Sequence, residues 1–312
     1  MIHSPISVTF FGTHAFACTI LQALIDDVRF NVHTVITQPD KPVGRKKVMT
    51  PPPVKLLAEA NNITVIQAES LKNFDTSILS TSDISVVAQY GKLIPEAVIE
   101  APKYKTLNVH TSLLPTYRGA SPIQTALMNG DTQTGVTIMQ MNRGLDTGPI
   151  LSQKSIDILP TECYLDLDAR LATLAAPLLL DTIPKYIDGS IVPQKQNDAE
   201  ATLCGQFSRE DGAINWTQDA QSIYNQYRGM TPWPGIWTTI EGKRLKLLDI
   251  SLAENISPIP AGTIQFIDQN IYIGTTTIPL NIQHIQIEGK TAMDAETFIR
   301  GNNSLHDSTL GA

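Results

Sequence analysis

Cysteine is scarce in this chain: 312 residues contain three, Cys18, Cys163 and Cys204. Odd in number and far apart, they offer neither a disulfide framework nor the paired spacing of a zinc site, and they point to a reduced, cytoplasmic protein without structural metal. Long hydrophobic runs are missing as well, none reaching the roughly 18 residues that a membrane span requires. The opening MIHSPISVTFFGTHAF has no basic n-region and no A-x-A cleavage site, so export is not expected. Positive charge is in deficit, with 23 Lys+Arg against 30 Asp+Glu and a net charge of −7. That balance excludes nucleic-acid binding by the bulk field. Screening limits each charge to roughly 10 Å, so a local basic patch stays possible. Two phosphate signatures are also lacking. The first βα turn, FFGTHAF, holds one glycine instead of G-x-G-x-x-G, and no G-x-x-x-x-G-K-[ST] occurs. Dinucleotide and P-loop sites are therefore set aside, and Gly12 reads as a tight turn before a helix.

What is present is an ordinary globular composition, 42% hydrophobic and 17% charged, in a chain long enough for one large domain or two smaller ones. ISVTFFGT, FNVHTVIT, ITVI, ISVVAQY, TLNVHTS and TGVTIMQM read as strands. FACTILQALIDD, VKLLAEANN, LIPEAVIEA and SPIQTALMNG read as the helices between them. The alternation predicts an α/β fold with a doubly wound, mostly parallel, Rossmann-like sheet over residues 1–189, closed by a long helix from Tyr164 to Gly189. Residues 190–208 are polar and aperiodic and read as a linker. Residues 209–312 change to short β runs (RLKLLDISL, GTIQFI, NIYIGTT, IPLNIQHIQI), which predicts a smaller OB-like β-barrel domain. Nothing demands more than a monomer.

Ligands of such sheets bind at the carboxyl ends of the strands. Gln89-Tyr90-Gly91, Asn108-Val109-His110 and Met141-Asn142-Arg143 are expected there. Asn108 and His110 lie two apart on a strand and so share one face. NRGLDTGPI puts Asp146 in a glycine-bracketed loop that can fold back to the same edge. An aspartate beside a histidine fixes its tautomer and stabilises an imidazolium, and an asparagine adds a neutral donor. Together they suit an oxygen that becomes negative during acyl transfer, with no nucleophilic side chain needed. A lone N-x-H is more often structural. The S-L-L-P and R-G that follow it, joined by the Asp loop, turn the balance toward chemistry.

The stretch NVHTSLLPTYRGASPIQTALMNGDTQTGVTIMQMNRGLDTGPIL resembles the core of the 10-formyltetrahydrofolate-dependent formyltransferases. VTFFGTHAFACTILQALI and ITQPDKPVGRKKVMTPPPVKLLAE narrow the likeness to the methionyl-tRNA formyltransferase family. SREDGAINW, MTPWPGIW and IQIEGKTAMDAETFIRG extend it over nearly the whole chain. The resemblance implies direct formyl transfer from the co-substrate 10-formyltetrahydrofolate to the amine of initiator methionyl-tRNA, for translation initiation and without metal. It implies that Asn108 and His110 hold the formyl oxygen and that Asp146 orients and charges His110. The folate would lie along Ser112, Leu113, Leu114 and Pro115, its pterin near the backbone of Gln89, Tyr90 and Gly91. Other branches act on nucleotide-linked amino sugars, and an inactive folate- or tRNA-binding homologue is a third reading.

The segment QPDKPVGRKKVMTPPPVK favours tRNA. Lys41, Arg45, Lys46, Lys47 and Lys55 stand there against Asp40 alone, a pattern suited to phosphate contact. In the second domain Arg228, Lys243, Arg244 and Lys246 are further cations, each more readily a solvated surface charge than a specific contact. The chain departs from the family pattern at several positions. Thr116 stands where Lys or Arg is usual, Gln206 replaces a linker lysine, and His14 replaces a proline. Asn142 and Pro149 replace aspartates, and Thr111 is bulkier than the usual neighbour of the histidine. Arg118 reads first as a structural pairing residue.

Overall fold

The computed structural model describes residues 4–44 and 46–311. Two compact units emerge, one from residues up to 122, 133–157 and 168–205, the other from 123–132, 158–167 and 206 onward. The first begins with β1 (Ile6–Gly12), whose residues from Val8 on are all buried. A strand with both faces covered reads as a continuous apolar run, which is why ISVTFFG shows no alternation. In α1 (Ala15–Asp26), Phe16, Ala17, Ile20, Leu21 and Leu24 are buried, the stripe a 3.6-residue period lays on one face. Then follow β2 (Phe30–Thr37), a hairpin of β3 (Lys41–Val43) and β4 (Val48–Thr50), α2 (Pro53–Ala60) and β5 (Thr64–Gln67). The chain continues through β6 (Ile84–Ala88), α3 (Glu96–Ile99), β7 (Thr106–His110), β8 (Arg118–Gly119) and α4 (Pro122–Met128). β9 (Gln133–Gln140), β10 (Ile150–Asp157), α5 (Tyr164–Ile187) and β11 (Leu203–Cys204) complete the series.

The seven-stranded sheet has the order β10-β9-β7-β6-β1-β2-β5. β7, β6, β1, β2 and β5 are parallel, as expected. The order reverses between β6 and β1, the switch point at which such sheets hold their ligands. β9 departs from expectation by running antiparallel to β7, with Leu107 opposite Gln140 and His110 opposite Thr137. Met141-Asn142-Arg143 therefore leave the sheet at the amino end of β7, where the Met141 N–H donates to the Thr106 carbonyl (2.8 Å), and not beside Gln89 and His110. The sequence pattern of a buried strand carries no sign of its direction.

The segment 190–205, expected as a linker, is laced into the first unit. Ile150 and Gln194 exchange both backbone hydrogen bonds at 2.8 Å, and β11 pairs in parallel with β8. Buried Gln196 in this stretch donates to the carbonyls of Asp146 and Gly148, a kind of burial that needs no hydrophobic period.

The second unit contains α6 (Ala220–Met230), β12 (Ile236–Ile240), β13 (Lys243–Leu252), β14 (Ile264–Ile267), β15 (Asn270–Ile273), β16 (Leu280–Ile287), β17 (Met293–Asp294) and α7 (Ala295–Gly301). Its antiparallel sheet, β12-β13-β16-β15-β14 with β17 beside β16, curls into the half-barrel expected of an OB-like domain. Alternate isoleucines and leucines fill the core with Trp216 and Phe298, each buried side chain contributing about 1.5–3 kcal/mol. Asp219 and Asp294 cap α6 and α7 by accepting from the N–H groups of Ser222 and Thr297, both at 2.8 Å.

Arg228 is not the solvated surface cation that the sequence suggests. It is buried, and its guanidinium donates to the carbonyls of Glu162 (3.0 Å) and Leu159 (3.0 Å) and to Asn225 Oδ1 (3.1 Å). With those donors committed it ties the 158–167 segment within its own unit and is not a phosphate ligand. Arg244 stacks on Trp237, 4.1 Å from the ring centre, while Lys243 is exposed and Lys246 half-buried.

Candidate active site

β7 presents Asn108 and His110 on one face, and the loop after β9 folds back over that face. Asp146 sits there with a left-handed φ of +51°. Its Oδ1 accepts a long bond from Asn108 Nδ2 (3.4 Å), and its Oδ2 lies 3.7 Å from His110 Nδ1. The other side of the imidazole is fixed, because Nε2 lies 2.9 Å from the Tyr117 carbonyl. A carbonyl only accepts, so Nε2 carries the proton and Nδ1 is the nitrogen that faces the carboxylate. The side chains of His110 and Asp146 are 6% and 11% exposed, nearly dry but reachable. The amide, imidazole and carboxylate that the sequence pointed to thus converge. An oxygen placed against them would meet the Asn108 amide as a neutral donor, and the imidazole as a second donor once Nδ1 carries a proton beside the Asp146 carboxylate.

The chain just after His110 grips this arrangement from both sides. Tyr117 supplies the carbonyl for His110, and the Gly119 N–H donates to Asp146 Oδ2 (2.9 Å). In the Asp loop, Asn142 Oδ1 accepts from the Gly144 N–H (3.0 Å) and the Thr147 hydroxyl (2.9 Å), a turn that an asparagine closes as well as the usual aspartate.

The segment 112–115 is held rigid. Thr137 Oγ1 donates to the Ser112 carbonyl (2.7 Å) and accepts from the Leu114 N–H (3.0 Å), and Gln153 Nε2 donates to the Leu114 carbonyl (2.8 Å). The Ser112 hydroxyl is buried and donates to the Thr116 carbonyl (2.6 Å). Leu114 is buried too, which leaves Leu113 and Pro115 as the half-exposed members able to face a ligand. At the end of β6, Gln89 and Gly91 take left-handed φ values of +41° and +76°, and this turn presents the backbone at the switch point. Between them the Tyr90 side chain points into the core, edge-on to Phe11 at 5.6 Å, and burial pushes its phenol up to about 12. Its backbone alone belongs to the strand-end surface.

Gln89 reveals a partner that the sequence did not. Its amide donates to Oδ1 of Asp168 on α5 (2.7 Å). Burial raises the Asp168 carboxyl above its ordinary value, an effect the Gln89 bond partly offsets. The folded state therefore binds this proton more tightly than the unfolded chain does, and the stability associated with this group falls as pH rises through its folded pKa. Asp168→Asn keeps an acceptor for Gln89 without the buried charge. It is expected to melt a few degrees higher at pH 7, the advantage shrinking as pH is lowered toward 4 in a series of thermal melts. A variant that melts lower than the parent at pH 7 contradicts this reading.

The basic segment forms the β3–β4 hairpin. Lys46 and Lys47 are exposed, Lys47 with φ +49°; Arg45 lies outside the described residues. Lys41 donates to Gln38 Oε1 (2.6 Å), and Gln38 Nε2 donates to the Tyr90 carbonyl (2.8 Å), so one buried amide joins the hairpin base to the strand-end turn. Lys55 is taken up by Asp40 at 3.0 Å. Val43, Val48 and Met49 are exposed on the same hairpin, an apolar component that charge counting missed. Arg118 is buried and paired with Gln196 and Asp198, in keeping with a structural role. Among the described residues no group of three or more His, Cys, Asp or Glu could hold a metal ion.

Comparison with known proteins places these features in a family context. A formyl transferase family model matches residues 6–183, and a model of the formyl transferase C-terminal domain matches residues 206–303. A methionyl-tRNA formyltransferase of Caldicellulosiruptor saccharolyticus is 41% identical over 301 residues, covering 94% of this chain and 96% of that protein. Among solved structures, the methionyl-tRNA formyltransferase from Clostridium thermocellum superposes with a TM-score of 0.55 at 20% identity, over 80% of this chain and 95% of that one. HypX from Aquifex aeolicus in complex with tetrahydrofolic acid gives 0.66 at 15% identity, over 95% of this chain and 47% of that one. These two likenesses speak to the fold.

Proposed function

The chain belongs to the methionyl-tRNA formyltransferase family, and from that premise we infer that Asn108, His110 and Asp146 form the centre at which a formyl group passes from 10-formyltetrahydrofolate to the amine of initiator methionyl-tRNA. The observation that carries the assignment is the convergence on one face of β7, with the Asp146 carboxylate 3.4 Å from Asn108 and 3.7 Å from His110.

The residues present fit a formyl donor. An amide and an imidazole stand side by side next to a rigid segment with half-exposed Leu113 and Pro115, and a backbone turn at Gln89–Gly91 ends the neighbouring strand. Ser112, Leu113, Leu114 and Pro115 would hold the folate body, and Gln89, Tyr90 and Gly91 the pterin through their backbone. When bound, the folate supplies the activated formyl group. Asn108 keeps one amide hydrogen free of its long contact with Asp146 and can donate it to the formyl oxygen as negative charge gathers there. His110, with Nε2 committed to Tyr117, has Nδ1 for the site. Nδ1 can take the proton that the attacking amine releases and return it to the folate nitrogen as the bond from that nitrogen to the formyl carbon breaks, so that tetrahydrofolate leaves as the neutral amine. Asp146 stabilises the imidazolium between the two transfers. Each oxyanion donor of this kind is worth roughly 2.7–4 kcal/mol of barrier.

Lys41, Lys46 and Lys47, together with Arg45, are the cations we assign to the tRNA, with the 209–312 region as a second tRNA-binding element beyond the catalytic 1–189. The cytoplasm is the compartment that supplies such a substrate, and one copy of the chain carries every residue named, as a monomer would. Lys46→Gln with Lys47→Gln is expected to raise KM for the tRNA and flatten its salt dependence by a slope of about two, leaving kcat within about twofold. A salt series of KM checks this; an unchanged slope would instead favour a substrate that does not use the hairpin, such as a nucleotide-linked amino sugar.

A further inference from the structure

The Asp146 loop is held by a side chain that lies outside every motif. Gln196 is 4% exposed, and its Nε2 donates to two carbonyls, those of Asp146 (2.8 Å) and Gly148 (2.7 Å). Its Oε1 accepts from Arg118 Nε (3.0 Å). The amide cannot be turned over, because that would set its oxygen against two acceptors and its nitrogen against a guanidinium donor. The placement follows from register: Gln194 bridges Ile150 in antiparallel fashion, which brings Gln196 beside Gly148. Gly148 must be glycine for this, since a Cβ there would lie 1.8 Å from the Gln140 carbonyl.

Arg118 closes the circuit. Its side chain meets Gln196 and Asp198 (2.7 Å). Its chain neighbours Tyr117 and Gly119 are the two residues that hold His110 and the Asp146 carboxylate. Asp146 is held in a left-handed conformation, φ +51°, that is less favourable than the right-handed one, and the two Gln196 bonds on its loop help to keep it there. We propose that Gln196 is a positioning residue for formyl transfer: by bonding the carbonyls of Asp146 and Gly148 it fixes the loop that aims the Asp146 carboxylate at His110 and Asn108. Arg118 in turn fixes the Gln196 amide. The proposal rests on the reading of Asn108, His110 and Asp146 as the transfer centre.

Gln196→Glu separates positioning from packing. It keeps the size of the side chain and an acceptor for Arg118 but removes both donors to the loop. Misplacing a catalytic group by about 1 Å costs up to about 100-fold. Assayed well below the thermal midpoint, which two lost buried bonds will lower, single-turnover and steady-state transfer from 10-formyltetrahydrofolate to methionyl-tRNA should show kcat down about 10- to 100-fold, with KM for both substrates within about twofold. In an Asp146→Asn background the same substitution should add little, because a residue that acts through Asp146 has nothing left to aim. Gln196→Glu turnover within twofold of the parent, or losses that multiply in the double variant, would overturn the positioning role. Near-normal turnover of Asp146→Asn alone would overturn the underlying site assignment, so the two failures are distinguishable.

Discussion

His110→Ala is expected to lower kcat for formyl transfer by about 10²–10⁴-fold while changing KM for the tRNA by little. On the proposed role, the variant loses the group that takes the amine proton, which general acid–base catalysis values at about 10²–10⁴, and the stabilisation of that cation by Asp146 is part of the same figure. Binding should survive, because the imidazole is almost fully buried and its polar contacts among the described residues are the Tyr117 carbonyl and the Asp146 carboxylate. Asp146→Asn should follow with a loss of about 10²–10³-fold, since an amide can still accept from Gly119 but cannot stabilise an imidazolium. Single-turnover rates with saturating tRNA measure both. Turnover within tenfold of the parent in His110→Ala would remove the histidine from the chemistry.

Gly119→Ala is the second large effect, and it arises from the fold. Gly119 has φ +129°, and a Cβ there would lie 2.0 Å from the Cys204 carbonyl, a backbone atom in the paired β11 strand. Neither can give way without undoing the β8–β11 pairing, which also sets the Gly119 N–H on Asp146 and the Tyr117 carbonyl near His110. The loss expected is about 3 kcal/mol or more, some 10 °C in the melting of this unit, with kcat falling in step. Gly44→Ala is the matched control: φ is again positive, +71°, but nothing lies within 4 Å of the added carbon. Its cost should be about 1 kcal/mol. Equal melting temperatures for the two variants would refute the steric argument.

These residues differ in how far the sequence announced them. Asn108 and His110 were legible because strand alternation puts i and i+2 on one face, whatever surrounds the strand. Asp146 was legible from its bracketing glycines, which mark a loop able to turn back. The route it takes was not. β9 runs antiparallel to β7, and the buried run TGVTIMQM looks the same in either direction. Gln196 carried no signal at all, since a buried amide serving backbone carbonyls sits in a polar, aperiodic stretch that resembles a linker. Tyr90 and Arg228 show the converse. An aromatic at a strand end and an arginine in a helix look available for ligands, yet tertiary packing commits one to the core and the other to backbone carbonyls. The Asp168 contact with Gln89 joins residues 79 apart in sequence, a pairing that no local pattern encodes.

The most direct measurement follows one labelled carbon. 10-Formyltetrahydrofolate labelled in the formyl group is mixed with the parent enzyme and charged initiator tRNA, quenched within one turnover, and the products are separated. Label should appear in N-formylmethionine at the rate of folate consumption, and should do so at least about 10²-fold more slowly with Asn108→Ala, the loss expected for one oxyanion donor. Label released as formate or transferred only to an amino sugar, or an Asn108→Ala enzyme that keeps the parent rate, would contradict the account.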